Sequence, residues 1–274
     1  SFLSSSPIYT SIGDFENNTF INNSVYRPES ISPYSQLGGA IYFNQDIGSE
    51  LIKTSYIRDC YFENNSAPNC GGGFFINFAD AESSDSPYHK TPIVVDNCIF
   101  VKCTSEIKGG AIGSGMGDKV DDPDAWVNGD IIVNGCTFKD CQSEYGGAIF
   151  SHDGTQQGDE ETNITNCVFE HCSSKSGGCI YSRSYKNTIS HCKFMNNDNN
   201  KIEESTILYI VMNEEGIAPV IFNCSFTNNI NQYFHMNINS FLVFDFCSFS
   251  NIVNEHDGGA IQINSDFNSS SLEF

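Results

Sequence analysis

Basic residues are scarce in this sequence. It contains 13 Lys and Arg against 34 Asp and Glu in 274 residues, which gives a formal charge of −21 at pH 7. A surface with this charge repels the phosphate backbone of nucleic acids and the anionic face of a membrane. We therefore expect no nucleic-acid partner.

Long apolar runs are also missing. No stretch approaches the roughly 18 to 20 consecutive apolar residues that a membrane-spanning helix needs, and the first residues lack the charged-then-apolar order of a secretory signal. We expect no membrane insertion of this segment. The hydrophobic fraction of 39% is still enough for a core in a chain of this length, so intrinsic disorder is not expected either.

Helical periodicity is absent as well, whereas two short motifs recur in alternation. One is Cys-x-Phe, and the other is Gly-Gly followed by a small and then an apolar residue. The seven copies of the first begin at Cys60, Cys98, Cys136, Cys167, Cys192, Cys224 and Cys247, and the six of the second at Gly38, Gly71, Gly109, Gly146, Gly177 and Gly258. Such recurrence is the signature of a repeat protein.

The spacing of the Cys-x-Phe motif predicts the fold. Its copies lie 23 to 38 residues apart, which indicates a constant coil that carries insertions. Each unit contains short alternating runs of Ile, Val and Phe between Asn, Ser and Gly, as strands do. We predict an all-β fold, a right-handed parallel β-helix (solenoid) of about eight coils with three short strands per coil. We expect one such domain over residues 1–274, as part of a longer chain or assembly.

Strand geometry predicts where the two motifs lie. Cys and Phe two residues apart point to the same face of a strand, so both should form columns along the interior. The glycine pair should lie at a corner where the backbone leaves no room for a Cβ atom or adopts a positive φ.

A further motif, Phe-x-x-Asn, accompanies the glycine motif. It begins at Phe15, Phe20, Phe62, Phe194 and Phe226, and Cys replaces its Asn at Cys103, Cys141 and Cys172. Together the two motifs resemble the repeats of the chlamydial polymorphic outer-membrane proteins and of related β-helical surface proteins in parasitic protists. The resemblance spans nearly the whole chain and implies surface exposure and a role in adhesion or recognition. The regular Cys-x-Phe cysteine departs from the bacterial repeats and, with the abundant Asn, Ile and Phe, favours a protist source.

The twelve cysteines admit two interpretations. The favoured one is a stacked interior column of free thiols that behave as small hydrophobic groups. The other is one or more disulfide bonds, with Cys103, Cys141 and Cys172 as the candidate partners. A zinc site is not predicted because no Cys-x-x-Cys pair occurs, and we expect neither a metal nor another cofactor.

Six Asn-x-Ser/Thr sequons are candidate glycosylation sites if the chain is secreted. They lie at Asn17, Asn22, Asn64, Asn163, Asn223 and Asn268. A chain this rich in Asn, Ser and Thr carries about this number by chance, so the sequons do not by themselves establish secretion.

Three acidic insertions follow the glycine motif and precede the next Cys-x-Phe strand, at residues 77–91, 114–130 and 151–162. They should therefore emerge from the same corner and form a candidate binding edge or cation site. The candidate residues are Asp118, Asp121, Asp122, Asp124, Trp126, Asp159, Glu160 and Glu161. The favoured alternative is that these loops are merely solvated and keep the protein in solution.

The function predicted from these features is non-enzymatic adhesion or recognition at the cell surface or outside the cell. The expected partners are other proteins or surface glycans. A structural role in a filament or larger assembly, with end-to-end or lateral contacts, is the first alternative. A polysaccharide lyase or hydrolase is the second, but no converging pair of carboxylates is visible in the sequence, and we assign no catalytic residue.

Overall fold

The fold was determined as a computed structural model that describes residues 8–10, 14–26, 36–45, 54–78, 92–115, 129–151, 161–197, 206–211, 217–230, 233–237, 242–253 and 272–273. These residues contain 27 strands and no helix. The strands are β1 (Ile8–Thr10), β2 (Phe15–Glu16), β3 (Thr19–Ile21), β4 (Ile41–Gln45), β5 (Ser55–Arg58), β6 (Tyr61–Glu63), β7 (Ser66–Ala67), β8 (Phe74–Phe78), β9 (Ile93–Asp96), β10 (Ile99–Val101), β11 (Thr104–Ser105), β12 (Ile112–Gly115), β13 (Ile131–Asn134) and β14 (Thr137–Lys139). They continue with β15 (Ile149–Ser151), β16 (Glu161–Thr165), β17 (Val168–Glu170), β18 (Ile180–Ser182), β19 (Lys186–Ser190), β20 (Lys193–Met195), β21 (Thr206–Val211), β22 (Val220–Phe222), β23 (Ser225–Thr227), β24 (Tyr233–Asn237), β25 (Leu242–Asp245), β26 (Ser248–Ser250) and β27 (Leu272–Glu273).

The strands form three long parallel sheets and one short sheet. Sheet 1 has the order β2-β5-β9-β13-β16-β19-β22-β25-β27, and sheet 2 has the order β26-β23-β20-β17-β14-β10-β6-β3. Sheet 3 has the order β1-β4-β8-β12-β15-β18-β21-β24, and sheet 4 consists of β7 and β11. The chain visits the three long sheets in turn, which confirms the prediction of a right-handed parallel β-helix with three main strands per coil.

A column of phenylalanine rings lines the interior of sheet 2, as the repeat predicts. Eight rings from Phe20 to Phe249 stack on their neighbours, with centroids 4.7–5.0 Å apart and ring planes within 4–13° of parallel. This separation matches the spacing of neighbouring strands, about 4.8 Å. Identical side chains can therefore stack from coil to coil without changing rotamer, which favours the same residue in every coil.

The Cys-x-Phe cysteines form a second interior column beside the rings. Six of the seven are buried, and Cys247 is half-buried. Each Sγ lies 3.1–3.5 Å from the carbonyl oxygen two residues earlier and donates its hydrogen to it. These thiols thus satisfy carbonyl groups at the corner between sheets 1 and 2.

The glycine motif forms the corner that leads into sheet 3, as expected. Gly146 has a φ of 63°, which residues with a Cβ atom adopt at a cost. A Cβ atom on Gly147 would lie 2.1 Å from the carbonyl oxygen of Gly178 in the next coil. The first glycine is thus required by its φ angle and the second by the close approach of the coils.

Asparagine supports the other two corners, which flank sheet 2. Fifteen non-glycine residues adopt a φ between 49° and 56°, and nine of them are Asn. Asn tolerates the left-handed region better than most residues because its short side chain bonds locally. In the pair Asn64-Asn65, the first residue turns the corner and is exposed, whereas the second points into the core.

Candidate functional site

A groove runs along the outer side of sheet 4 and across the neighbouring coils. It has a volume of about 860 Å³, and its lining includes Ser24, Tyr26, Ser66, Thr104, Gln142 and Glu144. We call it the polar groove. It combines a concave shape with a regular set of hydrogen-bonding side chains.

The floor of the polar groove is one residue from each of four successive coils. Backbone bridges pair Ser24 with Ser66, Ser66 with Thr104, and Thr104 with Gln142. These side chains point outward because they alternate along the backbone with buried neighbours such as Ala67 and Ser105. The hydroxyl and amide groups of the floor are therefore repeated at the inter-strand spacing of about 4.8 Å.

Buried serines hold the turn that forms one wall of the polar groove. Ser143 donates its hydroxyl hydrogen to the carbonyl oxygens of Tyr145 and Gly146, at 2.8 and 2.9 Å. Ser105 and Ser174 make the matching bonds to Lys108 and Ser176, at 2.8 and 2.7 Å. In three coils a buried serine thus bonds to a carbonyl at the same register position, that of Lys108, Tyr145 or Ser176. The turn after Ser105 is one residue longer than the other two.

The rim of the polar groove is partly aromatic and partly charged. The Tyr26 side chain is 80% exposed beside the floor. On the wall, the Lys175 Nζ donates to Glu144 Oε1 at 2.8 Å, and this bond raises the pKa of the Lys175 amine. Glu106 lies on the same wall. The rim therefore offers an aromatic face, one ion pair and a further carboxylate.

Behind the floor, a third interior column contains either Asn or Cys, and we call its positions the interior slot. It holds Asn23, Asn65, Cys103, Cys141, Cys172, Asn197 and Asn229. The Asn197 amide donates to Phe169 O at 3.2 Å, and its Oδ1 accepts the Cys172 N–H at 2.8 Å. An Asn in the slot thus links its coil to the adjacent coils through polar groups that would otherwise be buried without partners.

The candidate disulfide cysteines, Cys103, Cys141 and Cys172, occupy the middle of the interior slot. All three are completely buried, and all twelve cysteines of the chain are free thiols in the structure. Their Sγ atoms lie 3.7–3.8 Å from the carbonyl oxygen of the phenylalanine one coil earlier, the same type of acceptor that the Asn amides use. Burial raises the pKa of all three thiols well above the usual value, so they should react slowly at neutral pH.

The sequons differ in their accessibility. Asn17, Asn22, Asn64 and Asn223 are exposed at the left-handed corners on either side of sheet 2. Asn163 is half-buried in β16, and its buried Oδ1 accepts no hydrogen bond. Asn268 lies outside the described residues.

Most of the predicted acidic binding edge also lies outside the described residues. This applies to Asp118, Asp121, Asp122, Asp124, Trp126, Asp159 and Glu160. Glu161 is described and belongs to strand β16 rather than to a loop. Its carboxylate accepts a hydrogen bond from the Lys186 Nζ at 3.0 Å, so its charge is partly neutralised within sheet 1.

Among the described residues, no three His, Cys, Asp or Glu side chains converge in a way that could hold a metal ion. In the same part of the chain, the backbone forms no apolar helix of the length that crosses a membrane.

Sequence reasoning missed the floor of the polar groove. Its residues are not identical, so they form no motif of the kind that Cys-x-Phe provides. A weaker signal was present, because Ser24, Ser66 and Thr104 each directly follow an interior-slot residue. A hydroxyl residue that recurs after several of the Asn or Cys slots indicates an outward row beside an inward one.

Residues 59–77 match the family model of the Chlamydia polymorphic membrane protein repeat. The matched segment spans one coil, from the corner residue Asp59 through the floor residue Ser66 to β8. No curated protein and no solved structure matches the chain. With the stacked parallel sheets, the match makes the chain a β-helical repeat protein similar to the polymorphic membrane proteins.

Proposed function

We propose that the chain is a non-enzymatic cell-surface module that recognises neutral glycans through the polar groove. The membrane-protein family of the matching repeat supports the surface location. The observation that carries the proposal is the floor, where four coils present hydroxyl and amide groups at a regular spacing. A linear ligand with repeated hydroxyl groups can bond to such a row with the same geometry at each step.

The residues at the rim of the polar groove favour a neutral glycan over a charged ligand. An aromatic side chain such as Tyr26 combines a flat apolar face with a polar tip, which suits the apolar face of a sugar ring. The charged residues that line the polar groove are Glu106, Glu144 and Lys175, in a chain with a formal charge of −21. This balance disfavours acidic glycans and leaves neutral ones as the proposed ligands.

The sequons add a testable constraint on this recognition. The floor residues Ser24 and Ser66 are the hydroxyl residues of the sequons at Asn22 and Asn64. A glycan attached to either Asn would stand at the edge of the polar groove and reduce access to its floor. Recognition of a separate glycan is therefore expected to be stronger in protein that lacks attached glycans.

The test measures binding of neutral oligosaccharides to the unglycosylated chain by titration calorimetry. Tyr26→Ala should weaken binding by about tenfold or more, because the removed ring supplies the main apolar contact of the rim. Tyr61→Ala is the matched control, since Tyr61 lies on the outward face of sheet 2 and bonds to Glu63. Equal affinity of both variants, or binding of a protein but of no oligosaccharide, would contradict the proposal.

Assembly is the second candidate function, and one observation favours it. Within the described residues, β26 and β3 are the outermost strands of sheet 2. Edge strands with unpaired N–H and C=O groups can pair with another chain, so β26 of one copy could extend onto β3 of the next. Sedimentation should then show concentration-dependent association that Thr19→Pro reduces, because proline cannot donate to a strand ladder. A monomer at all concentrations would exclude this candidate.

A further inference from the structure

One residue at the left-handed corners departs from the pattern that asparagine sets. Phe246 has a φ of 53°, and it is the one apolar residue among the fifteen described non-glycine residues with a positive φ. The others are Asn, Asp, Lys or His. A residue with a Cβ atom and a large ring adopts this region at a cost, whereas Asn enters it more readily. The coil therefore holds Phe246 in a backbone conformation that its side chain disfavours.

The corner between sheets 1 and 2 shows which residues Phe246 replaces. Backbone hydrogen bonds join this corner from coil to coil, and the Asn223 N–H donates to Asp245 O, beside Phe246, at 2.8 Å. The aligned corner residues are Asn17, Asp59, Asn97, Gly135, Asn166, His191 and Asn223. Polar side chains here can bond across coils, as Asn97 Nδ2 does to Asp59 Oδ1 at 2.5 Å. Phenylalanine forms no such bond, so neither backbone preference nor hydrogen bonding accounts for Phe246.

Phe246 belongs to a group of three rings in successive coils on the outside of the protein. Its ring packs edge-to-face against Phe222, with the centroids 5.7 Å apart, and Phe222 packs in the same way against His191 at 5.4 Å. The Phe246 side chain is 77% exposed, His191 is exposed and Phe222 is half-buried. We call His191, Phe222 and Phe246 the aromatic corner. Most of the Phe246 ring is open to contact from solvent.

The charges around the aromatic corner favour a cation. Asp245 directly precedes Phe246 and is exposed, and no described Lys or Arg forms an ion pair with its carboxylate. Lys193 follows His191 on sheet 2 but lies two coils away from Asp245. The formal charge of −21 attracts basic partners and repels acidic ones. A carboxylate next to an exposed ring suits arginine, whose guanidinium pairs with carboxylates and stacks on aromatic faces.

An arginine of this chain already makes such a contact on the same sheet. The Arg58 guanidinium lies over the Tyr56 ring, with its Cζ 3.6 Å from the ring centroid. Arg58 ends its sheet 1 strand at the register position that Phe222 and Asp245 occupy in later coils. The outer edge of sheet 1 therefore has room for a guanidinium stacked on an aromatic ring.

We propose that the aromatic corner is a docking site for an arginine side chain in a basic segment of a partner protein. The guanidinium stacks on the Phe246 ring and pairs with the Asp245 carboxylate. The strained conformation of Phe246 is then the cost of presenting a ring to the partner. The polar groove lies at the other corner of sheet 2, so failure of this proposal would leave glycan recognition unaffected.

Titration of the isotope-labelled full chain with tetra-arginine amide, followed by nuclear magnetic resonance, tests this proposal. Salt at about 0.15 M screens long-range attraction to the acidic surface. The chemical-shift changes should concentrate at the aromatic corner and Asp245. Tetra-lysine amide should bind several-fold more weakly, because an ammonium group offers no flat face to the ring. Equal affinity for both peptides, or larger shifts at these residues with a neutral oligosaccharide, would overturn the proposal.

The variant Phe246→Asn separates binding from stability. It introduces the residue that the preceding coil has at this corner, Asn223. The melting temperature should therefore stay the same or rise by up to about 4 °C as the backbone strain is relieved. The affinity for tetra-arginine amide should fall about three- to tenfold, because the ring that contacts the guanidinium is removed.

Two further variants complete the test. Asp245→Asn should weaken the binding of tetra-arginine amide to a similar extent. Ile99→Ala is the control, because Ile99 is 43% exposed on the outer face of sheet 2, away from the aromatic corner, and it should not change the affinity. Unchanged affinity in Phe246→Asn, or a marked fall in its melting temperature, would overturn the proposal, since the ring would then not serve a partner.

Discussion

The phenylalanine column and the floor of the polar groove are two rows with the same spacing and different requirements. The column contains one residue type in eight positions and is buried except for its last ring, Phe249. The floor contains Ser, Ser, Thr and Gln in four consecutive coils. Interior rings must fit between rings of the same shape, whereas outward side chains need only avoid one another. The comparison separates residues that maintain the coil from residues that are free to serve recognition.

The interior slot stands between these two extremes. It is buried like the column, yet it holds Asn in some coils and Cys in others. Both side chains reach a carbonyl oxygen of the preceding coil, the Asn197 amide at 3.2 Å and the Cys172 thiol at 3.7 Å. The slot therefore selects for a small donor and not for one shape, which explains why two residue types suffice.

The largest effect is expected in the phenylalanine column. Phe138 is completely buried between rings at 5.0 and 4.9 Å. Phe138→Ala should lower the free energy of unfolding by about 3–5 kcal/mol, because it removes apolar contacts and leaves a cavity. Chemical denaturation measures the loss. Phe246→Ala is the matched control, since that side chain is 77% exposed. An equal decrease in the free energy of unfolding for both variants would show that the column does not contribute more to stability than an exposed ring.

A smaller loss is expected in the interior slot. Asn197→Ala leaves the Cys172 N–H and the Phe169 carbonyl without their side-chain partner, which should cost about 1–3 kcal/mol of unfolding free energy. Asn197→Cys should cost less, because a thiol can still reach the carbonyl oxygen, as Cys172 does in its own coil. If the Cys variant were as unstable as the Ala variant, the two slot residues would not be equivalent donors.

The floor of the polar groove should respond in binding and not in stability. Thr104→Ala should change the free energy of unfolding by no more than about 0.5 kcal/mol, because the side chain faces solvent. It should weaken binding of neutral oligosaccharides several-fold through the loss of about 1 kcal/mol per hydrogen bond. Thr137→Ala, on the outward face of sheet 2, should change neither quantity. If Thr104→Ala lowered the free energy of unfolding substantially, the floor residues would contribute to the stability of the coil and not only to binding.

The smallest effect concerns the charged outer face of sheet 2. The Lys139 Nζ lies 3.1 Å from Glu170 Oε2 and lowers the pKa of that carboxyl. The pair therefore stabilises the fold above the unfolded pKa of glutamate, near pH 4, and this contribution disappears as the pH falls through the lower folded pKa. For a partly exposed pair, the contribution is about 0.2–1 kcal/mol.

The test compares the chain with Glu170→Gln by chemical denaturation at pH 6 and pH 3. The variant should be slightly less stable at pH 6, and the difference should shrink towards pH 3 as protonation removes the charge of the carboxylate. Lys139→Gln should reproduce the loss at pH 6. A difference that grew as the pH fell would contradict the sign of the pKa change.

Much of the fold was predictable because many of its contacts are between identical residues in successive coils. Phe62, Phe100 and Phe138 recur at one position, and stacking is the arrangement that brings identical residues together in a repeat. The glycine corner was predictable for the same reason, since Gly146 and Gly147 recur as a pair. The candidate site was not, because Ser66, Thr104 and Gln142 differ in type and lie far apart in sequence. Their alignment depends on how many residues each insertion adds between coils.

The sequence by itself determined the repeating coil, its interior columns and its corners, because those positions each allow few residue types. Only the tertiary structure decided which outward residues share a surface. Tyr26 carries no sign in the sequence that it borders a groove. Residues in one coil come together through the path of the corners, and residues in different coils through the strand register. Both depend on the folded backbone as a whole and not on any local run of residues.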